Sequence, residues 1–489
     1  MWLVVRTPVR MVRVGADAQA SVPVRALRTG KHAGARTTSG AGAPAAARCQ
    51  TRLGVLGEMG GRSDDEGLWA RNSPALFWRL LDCGADGEEW EAACRAAQHC
   101  LAGLPAAAQA IGVAGTLAAT LGEGQLGERH WQMSRPARAY YALRPLLPAA
   151  ARGLLQRAVG RPRRAGGPLR WPAEERYVAW QREAVRRLLA ALGRSSAPYI
   201  HFWPTGARFA LVLTHDVDSA RGQAFVRELA SLEERLGFRS SFNLVPEGYA
   251  VDRRLLAELR ERGFEVGVHG LRHDGKLFSS EQTFRARAQR INAYLAAWQA
   301  VGFRAPMTHR HPAWMQALEV EYDSSFFDTD PFEPMPGGTM SIWPFFVGRF
   351  VELPYTLAQD HTLLRTLGET SPRLWLEKVE FVARHCGMAL LNTHPDYLRN
   401  PRYLAVYEEF LGRMHERGGY WHALPAEVAR WWRRRADATS ACGSDGRQAL
   451  DLTEATIGQL TLDADGELIL AAEGRRGCSR PAAGGDTRR

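Results

Sequence analysis

The chain has 489 residues, 45% of them hydrophobic and 24% charged, the balance of a soluble globular protein with room for roughly two or three domains. Its net charge of +11 is uneven: residues 1–58 hold nine Lys/Arg against two Asp/Glu, and no basic stripe interleaved with aromatics follows, which argues against a nucleic-acid partner. Seven scattered cysteines without a CxxC pair argue against a disulfide framework or a zinc–thiolate site.

Residues 1–64 are rich in Ala, Gly, Arg and Thr without a sustained apolar period, so a disordered segment is expected, with Met59 as an alternative start. Arginines interrupt MWLVVRTPVRMVRV before a signal-peptide core can form, and a cytoplasmic location is the resulting expectation. Residues 65–200 read as a helical domain that carries no chemistry. SPALFWRLLDCG offers Ser73 as an N-cap with Pro74 behind it, and GEEWEAACRAAQHCLAGL and PAEERYVAWQREAVRRLLAALG keep apolar faces at helical spacing. Residues 96–122 lack Asp, Glu, Lys and Arg but are Ala- and Gly-rich with Pro105 inside, so a buried helical hairpin is expected rather than a membrane span.

From about residue 205 short apolar runs alternate with amphipathic helices. The runs are RFALVLTHD, SSFNLVP, FEVGVHG, GFRAP, FVELP, MALLNTHPDY and YWHALP. Such β–α alternation predicts parallel strands covered by helices, closed into a barrel over residues 201–436 with its active residues at the C-terminal strand ends. Residues 437–489 predict a small β appendage, ATIGQLTLDADGELIL with a turn at Asp465–Gly466, followed by a frayed tail.

Chemistry concentrates at the strand ends. In VLTHDVDSARG, Asp216 and Asp218 are two apart and share one side of a strand. In VHGLRHDG, His269 and His273 are four apart, so a helical turn would present both imidazoles to one metal. A chance HxxxH is common, but an aspartate pair at another strand end completes a two-imidazole, one-carboxylate set with open positions. GGTMSIWPFF and VELPYTLAQDH could supply an aromatic sugar platform or simply pack as loops. His309 and His311 read as a solvated loop, and WWRRR at 431–435 as a helix end with a cationic last turn.

Taken in order, THDVD, HGLRH, FRAP and LNTHPDY resemble the motifs of the polysaccharide deacetylase (NodB-homology) superfamily, over residues 205–435 or about half the chain. The resemblance implies a distorted (β/α) barrel, α/β in class, that hydrolyses N-acetyl or other non-peptide amide bonds with one divalent metal. By position it makes Asp216 the general base, Asp218, His269 and His273 the metal ligands, Arg304 the residue that orients the base, and His394 the general acid. An aspartate from another loop would tune His394, with Asp328 and Asp330 favoured over Asp323. Zinc is the first expectation for the metal, and cobalt, nickel and manganese suit the same donors. An N-acetylated glycan or glycolipid is the implied partner. Alternatives are a cyclic amide or ureide hydrolase of the same superfamily and a non-catalytic carbohydrate-binding protein. The sequence departs from the family pattern at Gly270, where Ser or Thr is usual, at Val217 between the aspartates, and in FRAPMTHRHPAW after the arginine.

Overall fold

The computed structural model describes residues 64–472 apart from 82, 105–109, 128–129, 132–134, 136–137, 140–142, 144–168, 334, 336, 443–447 and 451. The expectations for residues 1–63, for an alternative start at Met59 and for a frayed tail after 472 lie outside the described residues.

Fourteen strands are described in chain order. They are β1 (Ser196–Ile200), β2 (Ala210–Val217), β3 (Ser241–Leu244), β4 (Glu265–His269), β5 (Gly302–Arg304), β6 (Tyr322–Asp323) and β7 (Phe345–Val347). They continue with β8 (Phe350–Glu352), β9 (Met388–Thr393), β10 (Trp421–His422), β11 (Ser440–Cys442), β12 (Gln448–Leu450), β13 (Ile457–Leu462) and β14 (Leu468–Ala472). All seven apolar runs form strands, and every residue of β2, β3 and β9 is buried, as parallel strands covered on both faces require.

Strands β2, β3, β4, β5, β6 and β8 pair in parallel in that order, and β9 pairs in parallel with the other edge of β2. The ring closes beyond β8, where the amides of Thr356 and Leu357 donate to the carbonyl of Leu390 at 3.2 and 3.1 Å. Closure through this extension rather than a ladder is one source of distortion. A second lies along β2, which pairs with β10 at Ala210 and Leu211 and with β3 only from Thr214 onward. The fold is therefore an α/β distorted barrel. The predicted covering helices form at Val226–Arg235, Arg253–Glu261, Glu281–Ala297, Arg373–Arg384 and Pro401–Arg417. Asp252, Ser280 and Asn400 cap three of them by accepting backbone N–H bonds at 2.9, 3.1 and 3.1 Å.

The helices ahead of the barrel, Gly87–Ala96, Gly112–Thr120 and Arg176–Ala191 among them, join it through buried polar contacts. Arg310 and Glu123, both fully buried, pair at 2.6 Å, and Glu123 also accepts from the amide of Gly338 at 2.7 Å. The Arg310 guanidinium sits 4.6 Å from the centre of the Phe327 ring. THRHPAW is thus no solvated loop: His309 and Arg310 are buried, and His311 stacks on Trp314. The aromatics of GGTMSIWPFF form no sugar platform. Trp343, Phe345 and Phe346 are buried, and Asn72 bonds both the carbonyl and the amide of Phe346 at 2.8 and 2.7 Å. Arg435 of WWRRR is also buried, its guanidinium donating to the carbonyls of Phe77, Ile200 and His201. The appendage is a β13–β14 hairpin, paired antiparallel with β1 and turned at Gly466 with a φ of +77°.

Two stability predictions follow from these contacts. Arg310→Ala leaves the buried Glu123 with His130 and the Gly338 amide as its remaining partners, which should cost about 3 kcal/mol in urea unfolding, whereas the double variant Arg310→Met/Glu123→Gln should lose much less. Glu265, at the start of β4, accepts from the Tyr322 hydroxyl at 2.6 Å and the Ala426 amide at 3.0 Å. Burial pushes its pKa from 4.5 up to about 7. A raised folded pKa gives a contribution that is complete below pH 4.5 and lost as pH rises through 7. Thermal melts of Glu265→Gln against the parent should therefore gain on the alkaline side of that window.

Candidate active site

The end of β2 shows why spacing two matters. Thr214 and Asp216 face the barrel interior: Thr214 Oγ1 accepts from Arg304 Nη2 at 3.1 Å, and Asp216 accepts from two interior amides. His215 faces outward, bonded to Glu233 and Thr393 at 2.7 Å each, and Val217 is fully buried. Asp218 follows at the strand end, on the side of Asp216.

Asp218 meets the two histidines. Its Oδ1 lies 3.4 Å from Nε2 of His269 and 3.4 Å from Nε2 of His273, and the donor atoms of the three lie within 4.8 Å of one another. Asp218 Oδ1 is buried without a hydrogen-bond partner, an orphaned acceptor facing two ring nitrogens. The Nδ1–H of His269 donates to the carbonyl of Arg304 at 3.1 Å, which turns its Nε2 toward Asp218. Burial works against the Asp218 anion, but His273 and His269 outweigh it and hold the carboxyl well below its usual range. Orphaned oxygen, fixed tautomer and anionic carboxylate together fit a divalent cation. Gly270 now has a structural reason. Its φ is +62°, and a Cβ there would stand 2.5 Å from the Pro306 ring, so the Ser or Thr of the family pattern has no room.

Asp216 lies alongside, 3% exposed. Asn243 on β3 donates to its Oδ1 at 3.1 Å, and Asn392 on β9 donates to its Oδ2 at 2.9 Å. Strand register levels Asp216 with Asn243, and Asn243 with Gly267 on β4. A Cβ on Gly267 would stand 2.1 Å from Asn243 Oδ1, so the glycine makes space for the amide that orients Asp216. Arg304 Nε is 3.6 Å from Asp216 Oδ1, and the guanidinium is anchored by Ser324 and Thr214. Burial raises the Asp216 pKa, and His269, Arg304 and His394 outweigh it, so the net direction is down.

His394 follows β9. Its Nδ1 bonds Asp360 Oδ1 at 2.7 Å, and its backbone N–H donates to the other oxygen of Asp360 at 2.7 Å. Burial lowers its pKa, but Asp360, with Asp218 and Asp216 behind it, raises the value to about 10. Asp360 is thus the aspartate on His394, and the expectation of Asp328 or Asp330 is corrected. Asp328 pairs with Lys378, and Asp330 is bonded to Thr362 and to the amide of Phe332. Asp323 lies deeper, beside Glu352, where burial raises both pKa values.

Sequence reasoning passed over Asn243, Asn392, Gln359 and Asp360 as partners of the charged groups. Gln359 accepts from Asn392 at 3.1 Å and donates to Glu333 at 2.8 Å, extending the network. A signal existed for the first two, since each is a lone amide inside an apolar strand run, SSFNLVP and MALLNTH.

No family model and no curated protein matches the chain. Among solved structures it is similar to candidate polysaccharide deacetylases from Mycobacterium smegmatis and Pseudomonas aeruginosa. The first shares 21% identity over 48% of this chain and 93% of that one, with a TM-score of 0.40. The second shares 16% over 48% and 94%, also with a TM-score of 0.40. A PuuE allantoinase is similar at 15% identity over 48% and 93%, with a TM-score of 0.38. Likenesses this distant leave activity to be argued from the site itself.

The geometry predicts that Asp360→Asn lowers the pKa of His394 toward the ordinary 6.5, read as imidazole shifts in an NMR titration. Asp328→Asn should leave that titration in place. Equal shifts in both variants would remove Asp360 from the role.

Proposed function

We propose that the protein is a metal-dependent hydrolase of carbon–nitrogen bonds other than peptide bonds, which removes acetyl groups from an N-acetylated sugar in polysaccharide or glycolipid metabolism. The carrying observation is the opposed tuning of Asp216 and His394 around Asp218, His269 and His273. One carboxyl is held anionic and one imidazole is held protonated, the division of labour that amide hydrolysis needs.

Amides resist hydrolysis because the carbonyl is a poor electrophile and the amine a poor leaving group. In this reading Asp218, His269 and His273 hold one divalent ion, zinc first, which when bound polarises a carbonyl and acidifies water. Asp216 accepts a proton from the attacking water as the new C–O bond forms. The amides of Asn243 and Asn392 keep the carboxylate aimed, and Arg304 favours its charged form. His394 donates its proton to the nitrogen as the C–N bond breaks, giving acetate and a free amine. Asp360 keeps that proton on the imidazole until then. Proton transfer by such groups contributes about 10²–10⁴-fold each.

Acetate release from a panel of N-acetylhexosamine glycans, set beside ring-opening of cyclic ureides, tests the reading. Asp216→Asn should lower kcat at least about 100-fold with the metal retained, and His273→Ala should lose both. The alkaline limb of the rate profile, where His394 gives up its proton, should move toward neutral pH in Asp360→Asn. Full activity in Asp216→Asn would sink the base assignment, and ring-opening without acetate release would favour the cyclic ureide alternative.

A further inference from the structure

A cavity of about 360 Å³ opens beside His394, and its wall is dominated by arginine. Arg221, Arg365 and Arg399 line it together with Tyr397, Tyr403 and Asp396. Each arginine follows a site residue closely in the chain: Arg221 comes three after Asp218, Arg365 five after Asp360, and Arg399 five after His394. The loops that carry the charged centre therefore also carry the cations. Tyr397 joins the two regions, its ring 4.9 Å from the His394 ring and 4.6 Å beneath the Arg365 guanidinium.

The charge at this wall is unbalanced. None of the three arginines forms an ion pair with a carboxylate among the described residues. Asp396, the one acid in the lining, is bound into the turn after β2, where it accepts from the Ser219 hydroxyl. Its other oxygen lies against Gly222, where an added Cβ would stand 2.1 Å away. The three arginines are exposed side chains lining one open cavity, and a bound oxyanion there would accept paired N–H bonds from their planar forks. Tyr403 offers a flat face of the kind a sugar ring packs on.

We infer that Arg221, Arg365 and Arg399 form an anion subsite next to the reacting centre, so that the substrate carries a carboxylate or phosphate on or next to its N-acetylated sugar. This inference rests on the deacetylase reading for the reaction and stands apart from it for binding.

Three probes test it: methyl N-acetylglucosaminide as the neutral one, N-acetylglucosamine 1-phosphate for phosphate, and a glucuronate-linked N-acetylglucosamine disaccharide for carboxylate. Calorimetric binding to the full chain should favour at least one anionic probe over the neutral probe tenfold or more, and the preferred probe tells phosphate from carboxylate. Added salt should erode the preference. The triple variant Arg221→Gln/Arg365→Gln/Arg399→Gln should lose most of it, with folding checked by its melting curve. The single variant Arg365→Glu should remove most of it even if the triple variant does not fold, because the lining then carries two cations against the introduced carboxylate and Asp396. Equal binding of all three probes by the parent chain, or a preference that survives in a folded variant, overturns the subsite. Acetate release from the same probes reads the reaction separately: an anion preference without acetate upholds the subsite and counts against the deacetylase reading.

Discussion

Asp216 is an anion kept almost entirely out of water, and much of the barrel interior is arranged around that constraint. An isolated buried carboxylate would take up a proton, since desolvation disfavours the charged form by several kcal/mol. Here two amides and a guanidinium reach it from three different strands, and His269 stands 4.0 Å away. Each supporter is held in turn. Arg304 is fixed by Thr214 and Ser324, Asn392 by Gln359, and Asn243 by the space that Gly267 leaves. Strand register is what makes this possible. A slip of one residue in β2 would send Asp216 to the outer face and turn His215 inward, away from Glu233 on its covering helix.

The segment ahead of the barrel belongs to the same physical problem. Barrel loops at the C-terminal end are long and polar, and long loops need fixed points. The Glu123 carboxylate binds Arg310 from one loop and the Gly338 amide from another. One buried acid from the helical segment thus anchors two loops. Arg310 leads on from the turn that begins at Pro306, and Pro306 in turn limits what can stand at Gly270 between the two histidines. The helical segment therefore helps to hold the loops that border the candidate site.

The sequence carried the barrel and the charged centre well because both are periodic or local. Parallel strands buried on two faces appear as apolar runs, and Asp216 with Asp218, or His269 with His273, lie close in the chain. Partners that meet only in space were harder to see. Asp360 looked like part of an aromatic loop, and its identity as the partner of His394 depends on how the chain turns after β8. Asp328 and Asp330 sit in an equally acidic stretch, but Lys378, far along the chain, claims the first of them. Arg310 lies in a stretch read as a solvated loop and Arg435 in the cationic last turn expected of a helix end, and each is inside because carbonyls, a carboxylate or aromatic faces receive its charge.

The two tuned groups are best understood as a pair. Asp216 and His394 sit at the ends of neighbouring strands, β2 and β9, yet their surroundings push them to opposite protonation states. Donors surround the carboxylate: two amides and a guanidinium, with no carboxylate hydrogen-bonded to it. The imidazole has the reverse, an aspartate that accepts from both its ring and its backbone N–H. Each group also stabilises the charged state of the other, because an anion and a cation share one poorly solvated space. Removing the Asp216 anion would let His394 give up its proton more readily, and removing the His394 cation would let Asp216 take one up more readily. That coupling gives the barrel mouth a proton acceptor and a proton donor at the same pH, which a single carboxylate or a single histidine in the same place could not supply.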